Sequence, residues 1–548
     1  MRALADPGFH ADRPRSVVHL QTHLSHVFVA DRFTYKMKKP VRFSFADFSD
    51  VERRRLACAE EVRLNRRLCP TVYLGTAAIV RDARGRLQLD VGLGSDAGVD
   101  PARELVEPLV RMRTLPTAGM GHHALASGRL DRRRLLDFAR VLAAFHSSLH
   151  PEPVDSPGAG PDALVRRWQA VLDDARTLVG STLDEARRAV LSDFGPRFVA
   201  RHAALVRGRA ARGRVREGHG DLHLGNLCLV SPALPEIDGA PSVPEGLVAF
   251  DCIEFSRDLR TGDVAAEVAF LAMDLEADGF AADAAAFIDA YADASGDTDL
   301  ARLLPFFVAF RSLVRGMVLG LETLDDAIET EERTRAAGRS RAHFALAARA
   351  AWRSPGTLIL VCCGLSGSGK STVAAALADA SGFEIVSSDE LRKRRAGLDP
   401  NAAVPVDARS TLYAPDARRV TYAALAAAAA AIVGAGRSAI LDATFNRADD
   451  RALLAAVARE RGVPLLFVEC RLDDERAVAR IEERARRPAP GARSDADAAV
   501  RRAQASEHEA LRADEPRIVI DTTGTVEATG LRAVEAAWRW CRDFTPGE

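Results

Sequence analysis

The chain has 548 residues, 47% of them hydrophobic, enough for two or more domain-sized cores. Its formal net charge of −1 excludes a global field that would draw it to nucleic acid or to an anionic membrane. Its eight cysteines are scattered and form no C-x-x-C pair. That excludes a zinc or disulfide framework and predicts reduced, buried thiols in a cytoplasmic protein.

No apolar run opens the chain, so no secretory signal is expected. Residues 1 to about 110 read as strand-rich, with short β-like runs at Val17–Leu20, Val27–Ala30 and Phe33–Lys38. A helix is predicted from Val51 to Leu68, then strands at Leu87–Leu93 and Leu105–Met112. From Asp131 to Ala350 the pattern is mostly helical, broken by a strand–loop–strand insert between Gly218 and Phe255. Pro151–Pro161 and Ser231–Pro244 are loops rich in turn residues. Arg333–Arg353 reads as a charged, alanine-rich helix, and Ser354-Pro355-Gly356 as a boundary. Beyond it strands and helices alternate, the pattern of a parallel sheet. Ala423–Val433 is too short to span a bilayer and is expected as a buried helix. The expected architecture is an α+β domain over 1–335, a helical linker over 336–355 and an α/β P-loop domain over 356–548.

Within the last of these, Gly364-Leu365-Ser366-Gly367-Ser368-Gly369-Lys370-Ser371 fits G-x-x-x-x-G-K-[ST]. An apolar run precedes it and a helix-forming run opens at Thr372, the strand–loop–helix context the motif requires. Such a loop wraps backbone N–H groups around phosphate oxygens. Lys370 is expected to reach the β- and γ-phosphates, and Ser371 to ligate Mg²⁺. Asp389 and Asp442 follow two further strand candidates, at the carboxyl ends where open parallel sheets bind ligands. Asp389 suits a general base for a hydroxyl acceptor, with a helix N-cap as the competing reading. Asp442 suits a Mg²⁺-side carboxylate. Arg480, Arg484 and Arg487 recur at helical spacing and share one face. They are expected on a lid that neutralises a transferring phosphoryl group and closes through Gly491–Asp495, against the plainer reading of a solvated charged helix.

A second set lies upstream. His219-Gly220-Asp221-Leu222-His223 is followed by Asn226 and, after an apolar strand, by Asp251. Phosphoryl transfer needs a carboxylate for the acceptor proton and two oxygen donors for Mg²⁺. Asp221 is assigned the first role, Asn226 and Asp251 the second, and the two histidines brace the loop.

These residues resemble the aminoglycoside phosphotransferase family, which has a protein-kinase-like fold, over residues ~16 to ~330. The resemblance implies that Asp263 braces the catalytic loop. It also implies that a strand lysine, Lys36 rather than Lys38, meets the nucleotide phosphates paired with Glu61, unless the lysine run is a solvated patch. Val106–Pro116 resembles the inter-lobe hinge. The glycine-rich loop is absent, and Gln21–His26 stands in its place. The C-terminal half is similar to small P-loop kinases that include gluconate kinase, the polynucleotide 5′-hydroxyl kinases and zeta toxins. The fused order resembles a group of bacterial bifunctional proteins. Together they imply a bifunctional kinase that uses ATP and Mg²⁺, with small-molecule hydroxyls as acceptors. Nucleic acid and membrane are not expected as partners, and no oligomeric state is implied. Three alternatives stay open: action on nucleic-acid 5′-hydroxyls, a nucleotide-binding regulator without turnover, and an antibiotic-resistance enzyme.

Overall fold

Every residue of Phe33–Lys38 is buried, lysines included, because this strand lies inside a six-stranded antiparallel sheet. The computed structural model describes residues 1–43, 46–91, 103–156, 158–234, 236–237, 242–326, 328–399, 415–486 and 497–544. The first sheet comprises β1 (Val18–Gln21), β2 (Ser25–Val29), β3 (Phe33–Lys38), β4 (Tyr73–Arg81), β5 (Leu87–Asp90) and β6 (Glu104–Arg113), in the order β1-β2-β3-β6-β4-β5. β4 escaped the sequence reading. Gly75, at φ 152°, sits at a register shift against β6 and breaks the alternation that marks a strand. Phe28, Tyr35, Ile79 and Leu109 form one apolar cluster, and Cys58, Val62, Tyr73 and Val110 another. The latter includes helix Val51–Asn65, started by Asp50, whose carboxylate accepts the Arg53 N–H at 2.8 Å.

Four short strands follow: β7 (Val215–Glu217), β8 (Leu227–Val230), β9 (Gly246–Ala249) and β10 (Thr261–Asp263). β8 and β9 form an antiparallel pair, as do β7 and β10. Helix Ala265–Ala277 is buried along most of its length. Helix Leu300–Glu322 is long and apolar enough to cross a membrane by length and composition alone.

The second sheet comprises β11 (Ile359–Cys363), β12 (Glu384–Ser387), β13 (Ala439–Asp442), β14 (Leu465–Arg471) and β15 (Arg517–Asp521). It is wholly parallel, in the order β12-β13-β11-β14-β15. Helices alternate with its strands, as the sequence pattern predicts, and Ala423–Val433 lies within helix Pro415–Gly434. All eight cysteines are free and buried.

Two compact units divide the chain, Met1–Trp168 with Phe198–Arg311, and Gln169–Arg197 with Ser312–Glu548. Helix Thr330–Arg353, read from sequence mainly as a linker, buries Phe344, Leu346 and Trp352 and belongs to the second unit.

Candidate active sites

In the first unit, register assembles the site. Leu227 pairs with Ala249, and the Phe250 N–H donates to the Asn226 carbonyl at 3.0 Å, so Asn226 and Asp251 end adjacent strands. The Ile253 N–H donates to the His219 carbonyl at 3.1 Å, joining the Asp221 loop to the same end. Asn226 Nδ2 donates to the Asp221 carbonyl and to Asp221 Oδ2, at 2.9 and 3.0 Å. Its Oδ1 is left as an oxygen donor. Asp251 adopts φ 62°, a left-handed conformation costly for a residue with a side chain. Its N–H is held by the Tyr73 hydroxyl at 3.1 Å, and the next N–H, of Cys252, by Asn65 Oδ1 at 2.9 Å.

Lys36 Nζ lies 2.9 Å from Glu61 Oε1 and also pairs with Asp251. Lys38 takes the other Glu61 oxygen at 2.5 Å and pairs with Glu254. The lysine run is therefore no solvated patch: Lys36 and Lys38 are both buried. Burial disfavours charge on Glu61, but the two ammoniums outweigh it and hold the carboxyl at about 2. Burial likewise opposes the Lys36 charge, and Asp251 and Glu61 overcome it, so its pKa lies well above the ordinary lysine range. Glu254 goes the other way, since its burial outweighs Lys38 and raises its pKa.

His219 is buried, and burial lowers its pKa. One neutral tautomer satisfies both ring nitrogens: Nε2–H donates to the Phe250 carbonyl at 3.0 Å, and Nδ1 accepts the Asp221 N–H at 3.3 Å. His223 Nδ1 accepts the Gly225 N–H at 3.0 Å. Both histidines brace the loop. Asp263 does not. Its carboxylate grips Arg209 at 2.7 and 2.8 Å, and Arg209 is also held by Asp297. It lies in β10, which pairs with β7, ahead of the helix whose side chains reach the loop. Glu267, four residues on, accepts the Gly220 N–H at 2.6 Å, and Asp274 accepts the Leu224 N–H at 2.9 Å. Gly220 needs its φ of 86°, and a Cβ there would stand 2.9 Å from Arg260 Cα.

In the second unit, β11 runs into the phosphate loop. Gly364 has φ 134°, and a Cβ there would lie 2.6 Å from the Cys470 carbonyl oxygen. Gly369 precedes helix Lys370–Ser381, whose N-terminus favours anions. The loop is pinned from outside. Thr522 Oγ1 donates to the Ser368 carbonyl at 2.8 Å, and Arg480 Nη2 to the Thr522 carbonyl at 2.7 Å. Arg501 Nη1 donates to the Ser366 carbonyl at 2.5 Å, and the Ser366 N–H to Gln504 Oε1 at 2.9 Å.

A cavity of about 340 Å³ is lined by Gly367, Gly369, Lys370, Ser371 and Thr372 on one side and by Arg480, Arg484, Thr522 and Gly524 on the other. A second, of about 200 Å³, is lined by Lys370, Asp389, Arg392, Tyr422, Asn446 and Gln504, among others. Lys370 belongs to both. Gly364, Leu365 and Ser368 border a separate cavity of about 490 Å³, and Ser366 the 200 Å³ one. Asp389 lies inside helix Ser388–Arg395 with no capping bond at its start; its carboxylate takes Arg392 at 2.5 Å, which removes the N-cap reading. Asp442 ends β13, buried, in register with Cys362 and Ser387 on the flanking strands. Arg487 and Gly491–Asp495 lie outside the described residues.

Among the described residues no group of three or more His, Cys, Asp or Glu side chains could form a metal cage. Mg²⁺ does not demand one, since it is held by one or two protein oxygens together with phosphates. Asn226 and Asp251, which end adjacent strands, offer oxygens of that kind; Ser371 opens helix Lys370–Ser381 and Asp442 ends β13. Sequence reasoning weighed Lys38 only as the rival of Lys36, and missed Asn65, Tyr73, Glu254, Glu267, Asp274, Arg501 and Gln504. One usable signal was present: Asn65 follows Glu61 by four residues and shares its helix face.

The nucleotide-binding loop and its sheet define an AAA-type P-loop unit, and residues 359–537 match the AAA domain family. The chain belongs to the family of the uncharacterized proteins Rv2004c of Mycobacterium tuberculosis and Mb2027c of Mycobacterium bovis. It is 30% identical to each over 497 residues, 89% of either chain. Among solved structures it is similar to a sugar kinase from Janibacter sp., at 25% identity, 35% of this chain, 96% of that one and a TM-score of 0.26. It is also similar to an aminoglycoside 2′-phosphotransferase-IIIa bound to GDP, at 15% identity, 61% of this chain, 93% of that one and a TM-score of 0.35.

Proposed function

We propose that the chain is a bifunctional phosphotransferase, each unit moving the γ-phosphoryl group of ATP to a hydroxyl of a small molecule. The observation that carries the reading is the pair of cavities sharing Lys370, one walled by the phosphate loop and Arg480, the other by Asp389. A nucleotide in the first and an acceptor in the second would meet at the Lys370 ammonium.

The acceptor oxygen bonds to the γ-phosphorus as the bond from that phosphorus to the β-phosphate bridge oxygen breaks, and ADP leaves. Asp389 takes the hydroxyl proton in the second unit, and Asp221 in the first. Lys370, Arg480 and Arg484 offset charge on the phosphoryl oxygens. In the first unit Lys36, oriented by Glu61, does so. Mg²⁺, when bound by Asn226 and Asp251 or by Ser371 and Asp442, would neutralise phosphate charge. The domain assignment follows the chemistry: a kinase-like set in the first part of the chain, a P-loop set from residue 356 onward.

The test is ADP release from Mg·ATP across a panel of hydroxyl-bearing metabolites, comparing the native protein with Asp221→Asn and Lys370→Ala. Metabolite-stimulated release removed by one variant assigns that unit its activity. Release that no metabolite stimulates and neither variant alters would sink the proposal and favour a nucleotide-binding regulator.

A further inference from the structure

The 200 Å³ cavity has two amide side chains on its wall, Asn446 and Gln504, and both are locked in orientation. Asn446 Nδ2 donates to the Gln504 carbonyl at 3.1 Å, and the Asn446 carbonyl accepts the Glu509 N–H at 2.8 Å. That leaves Asn446 Oδ1 shielded from water and, among the described residues, without a hydrogen-bond partner. Phe445 presents Asn446 from φ 48°, and its N–H is held by the Tyr422 hydroxyl at 3.1 Å. Gln504 Oε1 accepts the Ser366 N–H, which fixes which end of that amide is which. Its Nε2 is thereby left with donors that no described residue accepts. Both residues line the same cavity, Asn446 with a buried acceptor left open and Gln504, half-buried, with a donor left open. A buried polar group without a partner is a standing cost, so the Asn446 acceptor is retained where a ligand completes it.

We propose that Asn446 and Gln504 read the acceptor of the second unit. A neutral hydroxyl donates its proton to Asn446 Oδ1 and accepts from Gln504 Nε2, which selects a polyhydroxylated small molecule. The inference rests on the phosphotransferase reading above. It adds a coupling, because Gln504 also holds the phosphate-loop N–H of Ser366. Filling the cavity orders the amide, and the amide positions the loop. Arg501, one turn earlier on helix Ala498–Ser506, holds the Ser366 carbonyl and completes the grip.

Replacement of Gln504 separates the two roles. Gln504→Glu keeps an oxygen for the Ser366 N–H and loses the Nε2 donor, whereas Gln504→Leu loses both. The assay is ADP release in the full chain carrying Asp221→Asn, with glycerol, xylitol, sorbitol and myo-inositol as probes and an oligonucleotide bearing a 5′-hydroxyl as the contrasting acceptor. A fluorescent ATP analogue reports nucleotide affinity separately. The expected result is stimulation by one of the polyols. Its KM then rises about tenfold in Asn446→Leu and in Gln504→Glu. The kcat falls only in Gln504→Leu, where Ser366 comes loose. A merely structural role would not split KM from kcat between Glu and Leu at one position. Unchanged polyol KM in all three variants would overturn the inference. So would stimulation by the oligonucleotide alone, or Lys370-dependent analogue binding with no response to any polyol. Absence of Lys370-dependent analogue binding would instead overturn the phosphotransferase reading, and this inference with it.

Discussion

Two lysines that sit two residues apart on one strand have different duties. The Lys36 side chain reaches Asp251, whose own side chain is 39% exposed, while the Lys38 side chain is 1% exposed, pairs with Glu61 and Glu254 and lies over the Phe48 ring. Lys36→Met is expected to lower first-unit turnover by on the order of a hundredfold with little loss of stability, read as Asp221-dependent ADP release. Lys38→Met strands the buried Glu254 carboxylate, leaves Glu61 with Lys36 alone, and is expected to cost about 3–5 kcal/mol in urea unfolding. Equal stability loss in the two variants would contradict this division. Glu267 carries a pH consequence. Burial opposes its charge, but His146 at 2.9 Å and the Gly220 N–H outweigh it and bring its pKa from 4.5 down to about 2. A depressed carboxyl pKa stabilises the fold above the unfolded value near 4.5, and that contribution fades as the pH falls toward 2. The shift corresponds to about 3 kcal/mol. Glu267→Gln should therefore lower stability at pH 7 and flatten its decline between pH 4.5 and 2, as seen in unfolding at several pH values.

Helix Ala265–Ala277 is the element that shapes the first site. Glu267 and Asp274 lie seven residues apart, hence on one face, and each accepts a backbone N–H of the His219–Asn226 loop. Asp274→Ala leaves the Leu224 N–H unpaired and is expected to cost about 1–3 kcal/mol locally. Hydrogen exchange at Leu224 should speed up well before global unfolding is affected; unchanged exchange would remove Asp274 from this role. The resemblance pointed to Asp263 because it too is an aspartate near this helix. Its pairing with Arg209 is set by β10 lying against β7, a long-range contact that local pattern does not carry.

At the scale of the whole chain, two compact units each hold a candidate set, so the two proposed activities should add. Asp221→Asn and Lys370→Ala are expected each to remove one product, and the double variant to remove both with no further interaction. Product analysis after incubation with Mg·ATP and mixed acceptors would check this. A single variant that abolished both products would show the sites to be coupled.

By itself the sequence carried the phosphate loop and the alternating second half, which are local signals that periodicity and glycine placement suffice to find. It offered Asp221, Asn226 and Asp251 as a set by residue type, and Lys36 with Glu61 only through a family resemblance that left Lys38 as the rival. Only the tertiary structure decided the rest. It revealed β4, hidden by a register shift at Gly75, and the second pair, Lys38 with Glu254, separated by 216 residues of chain. It moved the loop brace from Asp263 to Glu267. It also brought Gln504 onto Ser366, 138 residues away. Contacts at such separations depend on how strands and helices stack, and local composition leaves no trace of them.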